Sequence, residues 1–147
     1  MIERKHIGTV FPAHTVEVEA GRLRFFAKAI GETDPIYLDD GAARAAGYGA
    51  LPAPPTFLFC LEMERRDPLA WLEAIGADLA RILHGEQSFR YYQPVCAGDR
   101  VTFETSITDI YDKKGGALEF IVRKTRVSNQ RGEHVADLSS SVVQRNA

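Results

Sequence analysis

The chain lacks the residue patterns that identify several large classes of protein. Only two of its 147 residues are cysteines, Cys60 and Cys96, which are too few for a disulfide framework or a cysteine-based zinc site. No apolar run approaches the roughly 20 residues that a membrane-spanning helix needs. The polar start of the chain, Met-Ile-Glu-Arg-Lys, is unlike a signal peptide. We therefore expect a cytoplasmic protein with free thiols.

Neither sign of charge is in excess. Lysine and arginine number 18 against 20 aspartates and glutamates, which leaves a formal net charge of -2 and argues against a dedicated nucleic-acid binder. The sequence contains no GxSxG elbow, no Walker loop, no GxGxxG after a strand, and no histidine or cysteine spacing typical of a metal site. These absences predict chemistry without a metal and without a bound redox cofactor.

The chain has the length of a single domain, and its two halves differ in sequence pattern. The 147 residues, of which 45% are hydrophobic, match the ~150 residues of a single domain. Residues up to about Ala80 have the pattern of helices and loops, whereas residues from Leu83 onward have mostly the pattern of strands. Such segregation predicts an α+β fold, and we assign residues 1–147 to a single domain.

The first half contains several helical patterns. One helix face is predicted from the spacing of Leu23, Phe26, Ala27 and Ile30. A short helix is predicted between Asp39 and Gly47, and a second short helix between Leu69 and Ala80. Thr56 is a suitable N-cap for the apolar run Phe57–Met63, which predicts a helix buried on most sides.

The second half alternates between apolar and polar residues. We expect one strand face from Val101, Phe103, Thr105 and Ile107, and another from Leu118, Phe120 and Val122. Strands at 83–92 and 135–143 complete a predicted meander of four antiparallel strands, and His14–Val18 forms a short leading strand. The expected object is a curved antiparallel sheet of about five strands, wrapped around the central buried helix that begins near Thr56.

Two segments carry a more specific signal. The first runs from Glu32 to Phe57 and the second, which begins His-Gly-Glu-Gln, runs from His84 to Val101. Together they resemble the MaoC-like hydratase/dehydratase superfamily, in the MaoC N-terminal-like dehydratase branch that includes subunits of mycobacterial-type 3-hydroxyacyl-thioester dehydratase. The resemblance implies a hot-dog fold. It also implies that water is added to an enoyl-CoA or removed from a 3-hydroxyacyl-CoA, with coenzyme A as the substrate carrier and no other cofactor.

The family's active loop reads Asp-Xaa-Asn-Pro-Ile/Leu-His, in which the Asp and the His are the acid/base pair. The corresponding residues here are Glu32, Asp34 and Tyr37, so both working positions differ. Glutamate can still act as a base, but a phenol with a pKa of about 10 exchanges protons poorly near neutrality. Tyr37 is therefore either a catalytic proton donor or a residue that donates a hydrogen bond or bounds the acyl pocket. Glu32 is either a base or an ordinary acid after a helix, and Asp34 is either a substrate contact or a turn residue.

The resemblance assigns further residues to the substrate site. Thr56 matches the family's glycine whose backbone N–H forms the oxyanion hole, and Phe57 is expected to bound the acyl pocket. His84 and Glu86 lie two residues apart on a predicted strand, so we expect both on one face. There they form either a substitute catalytic pair or a structural hydrogen bond. His14 shows no partner pattern and is expected at the surface.

Three functions remain open at this stage. The chain is an acyl-thioester hydratase/dehydratase, a non-catalytic acyl-binding subunit of a heteromeric dehydratase, or an acyl-CoA thioesterase. The open edges of a single hot-dog sheet favour pairing with a second sheet, either in a homodimer or in a heterodimer with another hot-dog subunit. In the family, two sheets join into one and the acyl tunnel lies at the seam.

Overall fold

The structure is a computed structural model that describes residues 1–146. It contains five strands: β1 (His14–Glu17), β2 (Ile82–Tyr91), β3 (Arg100–Lys113), β4 (Leu118–Ser128) and β5 (His134–Arg145). They form one antiparallel sheet in the order β1-β3-β4-β5-β2. The predicted α+β fold with a sheet of about five strands is therefore confirmed.

The helices all precede the long strands. They are α1 (Ala20–Ala29), α2 (Asp40–Ala45), α3 (Phe57–Glu62) and α4 (Ala70–Ala74), with single 3-10 turns at Arg4–His6, Pro35–Tyr37 and Leu79–Arg81. The predicted helix from Leu69 to Ala80 is too long, because Gly76 adopts a φ of 81° and ends α4. Ile30 was expected on the buried face of α1, but it follows the last helical turn and is exposed.

The strand order departs from the predicted meander at one strand. Strands β3, β4 and β5 follow one another through two hairpins, as expected, but β2 pairs with β5 and not with β3. The prediction was wrong here because residues 92–99 do not form a tight turn. The Ala53 N–H donates to Val95 O at 2.7 Å and the Ala97 N–H donates to Leu51 O at 2.8 Å. With these bonds the chain runs alongside the segment that precedes α3. It thereby passes from β2, at one edge of the sheet, to β3, next to the opposite edge.

The core lies between α3 and the concave face of the sheet. Leu58 and Leu61 of α3 have no exposed surface and pack with Phe103 of β3 and Val127 of β4. The inward side chains of β4 are Glu119, Ile121, Arg123, Thr125 and Val127. The apolar face predicted for this strand, Leu118, Phe120 and Val122, is instead the outer, half-buried face. Hydrophobicity alone misled the prediction because two of the inward positions carry charged residues.

His14 is another residue whose environment differs from expectation. Its ring stacks on Phe103 with centroids 5.0 Å apart, and neither ring nitrogen has accessible surface or a partner within residues 1–146. The predicted surface position is thus wrong for the imidazole. Within the same described residues, no helix is long and apolar enough to cross a membrane, and no cluster of acidic, histidine and cysteine side chains is placed to hold a metal.

Candidate functional site

The loop from Glu32 to Tyr37 is held by its own carboxylates. Gly31, with a φ of 73°, ends α1, and the Glu32 N–H donates to Ala27 O at 2.8 Å. The Glu32 Oε1 then accepts hydrogen bonds from the N–H groups of residues 33 and 34, at 2.8 and 2.9 Å. The Asp34 Oδ1 accepts from the Ile36 N–H at 3.1 Å and caps the following 3-10 turn. One carboxylate oxygen of Glu32 and one of Asp34 are therefore hydrogen-bonded to the backbone of the loop.

Tyr37 lies at the end of this loop, in the wall of a cavity of about 340 Å³. The other lining residues are Tyr48, Pro52, Ala53, Pro55, Tyr91, Tyr92, Gln93, Pro94 and Val95. We call this space the tyrosine cavity. It combines the loop after α1, the segment before α3 and the end of β2, so its wall is apolar with several phenol groups.

The phenols in the tyrosine cavity are weak acids. Burial raises the pKa of Tyr37, and the nearby Tyr48, Glu32 and Asp34 raise it further. Burial also raises the pKa of Tyr91, with a smaller contribution from Tyr37, and the Tyr91 hydroxyl donates to the Pro55 carbonyl. Tyr37 and Tyr91 are therefore protonated at neutral pH, where they donate hydrogen bonds but do not accept protons.

The entry to α3 differs from the predicted capped helix start. The Thr56 side chain makes no capping hydrogen bond and its backbone is already helical, with φ -94° and ψ -4°. The Phe57 N–H donates to Pro54 O at 2.9 Å, so the turn begins before Thr56, and an N-cap would need an extended backbone. The Thr56 N–H has no acceptor within residues 1–146 and follows Pro55, which lines the tyrosine cavity.

Phe57 is placed in the core. It is only 3% exposed, and its ring contacts Phe26 with centroids 5.1 Å apart. The Arg22 guanidinium lies 5.6 Å from the centroid of the same ring. Phe57 therefore holds α3 against α1, and it is absent from the lining of the tyrosine cavity.

His84 and Glu86 lie on opposite faces of the sheet. His84 pairs with Val142 and Glu86 pairs with Ser141, so Gly85 is an extra residue, a β-bulge. Because Val142 and Ser141 are consecutive on β5, their side chains and those of their partners point to opposite faces. The prediction that His84 and Glu86 share a face is wrong, and so is the substitute pair that required it. The bulge reverses the alternation after Gly85.

His84 is also remote from the tyrosine cavity. It lies seven residues before Tyr91 on β2, which corresponds to roughly 20 Å along a strand. Its ring stacks on Phe59 with centroids 5.2 Å apart. The structure thus brings Glu32, Asp34 and Tyr37 together in one loop and leaves His84 beside Phe59 of α3. Glu86 is exposed on the outer face.

Sequence reasoning missed most of the wall of the tyrosine cavity. Tyr91 and Tyr92 reach it because β2 pairs with β5, which brings the end of β2 beside the loop that precedes α3. The only sequence signal was the Tyr-Tyr dipeptide before Gln93 and Pro94, directly after an alternating strand. Tyr48 had no signal beyond its position after the glycine that ends α2.

Comparison with known proteins gives the family. Residues 5–138 match the family described as FAS1-like, dehydratase domain region. A protein from Streptomyces avermitilis named UPF0336 protein is 33% identical over 147 residues, which cover 99% of this chain and 97% of that protein.

Solved structures with similar folds include MaoC-like dehydratases. The C-terminally truncated HadBC (3R-hydroxyacyl-ACP dehydratase) complex from Mycobacterium tuberculosis matches with a TM-score of 0.81 and 26% identity, covering 94% of this chain and 96% of that one. The MaoC-like dehydratase from Rhodospirillum rubrum matches with a TM-score of 0.70 and 26% identity, over 96% and 93% of the two chains. The chain therefore has the hot-dog fold and belongs to the MaoC-like dehydratases, in the family of the FAS1-like dehydratase region.

Proposed function

We propose that this chain is the acyl-thioester-binding subunit of a heteromeric hot-dog dehydratase, and that a second subunit supplies the catalytic Asp and His. The observation that carries the proposal is the state of the loop from Glu32 to Tyr37. One carboxylate oxygen each of Glu32 and Asp34 is hydrogen-bonded to the loop backbone, and burial raises the pKa of Tyr37. The loop therefore lacks the imidazole with which the family's active loop exchanges a proton near neutral pH.

The tyrosine cavity supports the binding role. Its volume of about 340 Å³ is within the ~300–1,000 Å³ of small-molecule sites, and its wall is mainly apolar. The Tyr37 hydroxyl is a neutral donor that suits a thioester carbonyl or a 3-hydroxyl oxygen. A 3-hydroxyacyl or enoyl thioester of coenzyme A offers both an acyl chain for the apolar wall and oxygens for the phenols.

The free edge of the sheet supports the partner. β2 is an edge strand of ten residues that pairs only with β5, so one side of its backbone faces no other strand in residues 1–146. Leu83 on this strand and Tyr92 just after it are 51% and 46% exposed. An edge of this length with apolar side chains favours pairing with a second sheet. The similar HadBC structure is, by its name, a complex of two subunits.

A second candidate is hydration by this chain alone. It is favoured by the position of Glu32, which lies close enough to Tyr37 to raise the pKa of that phenol and whose Oε2 has no donor within residues 1–146. Glu32 would then act as the base and Tyr37 as the acid.

An assay of enoyl thioester hydration separates the two candidates. The wild-type chain and a variant with the family's loop, Glu32→Asp with Asp34→Asn and Tyr37→His, are compared on crotonyl-CoA and trans-2-octenoyl-CoA. We expect no turnover by the wild type and measurable turnover by the restored loop. Wild-type turnover that is lost in Glu32→Gln would instead establish the second candidate.

Binding is measured in parallel with octanoyl-CoA by calorimetry. Tyr37→Phe removes one hydrogen bond worth about 0.5–1.5 kcal/mol, so we expect the affinity to fall roughly two- to tenfold. Tyr111→Phe, on the outer face of β3, is the matched control and should not change the affinity. Failure of the wild-type chain to bind octanoyl-CoA would overturn the proposal.

A further inference from the structure

A second cavity lies at the C-terminal end of α3, and it shares no residue with the tyrosine cavity. Its volume is about 270 Å³, and its wall includes Phe11, Glu62, Met63, Arg65, Trp71 and Arg123. We call it the Arg123 cavity. The first candidate function does not use it, and no motif in the sequence pointed to it.

Arg123 is an unusual residue for the middle of a core-facing strand. It is 9% exposed, its Nε donates to the Ser140 Oγ at 3.3 Å, and its guanidinium carbon lies 4.3 Å from the centroid of the Trp71 ring. The two terminal nitrogens donate to no acceptor within residues 1–146. A largely buried cation is costly unless an acceptor, either solvent or an anion, satisfies its donors.

The nearby acids form no hydrogen bond with Arg123 within residues 1–146, although burial lowers the pKa of Arg123 and the charge of Glu62 raises it by a smaller amount. Glu62 forms no ion pair with Arg123 among the described residues, and its Oε1 accepts from the Thr125 Oγ1 at 2.6 Å and more weakly from Thr105. One oxygen of Asp67, the other acid at the wall, accepts from the backbone at the start of α4. Arg65 has no side-chain partner within residues 1–146. The charged hydrogen-bond donors at this cavity that have no acceptor within residues 1–146 therefore belong to two cations, Arg65 and Arg123.

A second, apolar space adjoins the Arg123 cavity. A smaller cavity of about 140 Å³ shares Met63, Pro68, Trp71 and Arg123 with it. The remaining wall of the smaller cavity is formed by Phe59, Leu69, Leu72, Ile82, His84 and Val142. Arg123 thus lines both cavities, one with four charged residues in its wall and one with a mainly apolar wall, which is the arrangement that an amphipathic anion requires.

We propose that the Arg123 cavity binds a free medium-chain carboxylate, with the carboxylate on Arg123 and the alkyl chain against Trp71 and the smaller cavity. The planar guanidinium fork matches a carboxylate through two parallel hydrogen bonds, whereas a lysine would provide only a point charge. The proposal goes beyond the function proposed above and does not depend on it, because the two cavities share no residue.

Fluorescence gives a local test, because Trp71 is the only tryptophan in the chain. Octanoate is titrated into the full chain, with octan-1-ol as the neutral probe of equal length. We expect a saturable change in Trp71 emission and at least tenfold tighter binding of octanoate than of octan-1-ol. Arg123→Met should weaken octanoate binding at least tenfold and octan-1-ol binding far less, so that the preference for octanoate is lost.

Two further variants keep the test decisive. Arg126→Met removes an exposed arginine from the outer face of the same strand, and it should not change the affinity for octanoate. Arg123→Lys keeps the positive charge but loses the guanidinium fork, so it should bind octanoate with intermediate affinity. This variant replaces Arg123→Met in the test if the methionine variant does not fold. Equal affinities for octanoate and octan-1-ol, or undiminished binding by a folded Arg123 variant, would overturn the proposal.

Discussion

Replacing Gly85 with alanine tests the β-bulge that separates His84 from Glu86. A Cβ atom on Gly85 would lie 2.8 Å from Val143 Cγ2 and 3.1 Å from the Ser141 carbonyl oxygen. The first contact is well inside the ~3.5–4.0 Å at which carbon atoms attract. β5 is hydrogen-bonded to β4 on one side and to β2 on the other, so it cannot move away without disturbing both ladders.

The expected loss follows from two opposing contributions. Forcing a methyl group into a filled space costs about 1–3 kcal/mol. The smaller conformational entropy of unfolded alanine returns about 0.4–1 kcal/mol of this. We therefore expect the Gly85→Ala variant to lose about 1–2 kcal/mol of unfolding free energy, or roughly 2–8 °C in Tm for a chain of this length.

Urea unfolding followed by circular dichroism measures this loss, at one fixed protein concentration because any dimer would make stability concentration-dependent. Gly21→Ala is the matched control: Gly21 lies in α1, and a Cβ there would meet no atom within 4 Å. That variant should gain about 0.5–1 kcal/mol. Adding Val143→Ala to Gly85→Ala should relieve part of the clash. The reasoning is refuted if Gly85→Ala is as stable as the wild type, or if the double-mutant cycle shows no coupling.

Two other substitutions test buried polar groups. Glu119→Gln should lower the free energy of unfolding by about 1–3 kcal/mol, because the buried carboxylate accepts three hydrogen bonds, one of them from the Ile2 N–H, and a glutamine amide must face a donor. The exposed Glu104→Gln is its control in urea unfolding, and equal losses in the two variants would contradict the explanation. For His14, burial lowers the pKa and the positive charge of Arg65 lowers it further, so the folded state favours the neutral ring. The wild type should then lose stability as the pH falls below about 6.5 towards the lowered pKa, and His14→Phe should lose less; unchanged pH dependence in urea unfolding between pH 7.5 and 5 would exclude this role.

Most of the fold could be predicted because its signals are local. The apolar run at α3, the alternation in β3 and the glycine turns between the long strands each depend on residues close together in the sequence. The bulge at Gly85 was missed, although a glycine inside a strand pattern often marks one. The inward orientation of Glu119 and Arg123, by contrast, could not be predicted from the sequence. Their partners come from distant strands and termini, and only the folded chain shows that these charges have hydrogen bonds.

The candidate site was predicted in part, through the resemblance of the loop from Glu32 to Tyr37 to the family's active loop. The structure holds these residues in one loop, from which only Tyr37 lines the tyrosine cavity, and their roles stay predictions. Tyr91 and Tyr92 could not be placed there from the sequence, because their position depends on the pairing of β2 with β5. His84 lies on the same strand. The resemblance singled it out, but the geometry puts it beside Phe59 of α3, away from the tyrosine cavity.

The replacements in the loop preserve shape more than chemistry. Tyrosine in place of histidine keeps a planar ring with a polar tip that donates a hydrogen bond, but it gives up proton exchange near neutral pH. Glu32 and Asp34 keep their carboxylates, and each uses one oxygen to fix the loop backbone. A site built for proton transfer would need an exchangeable group such as an imidazole beside these carboxylates, whereas a site built for binding needs an apolar wall and neutral donors. The tyrosine cavity has the second set of properties, which is why we propose a binding subunit with a catalytic partner.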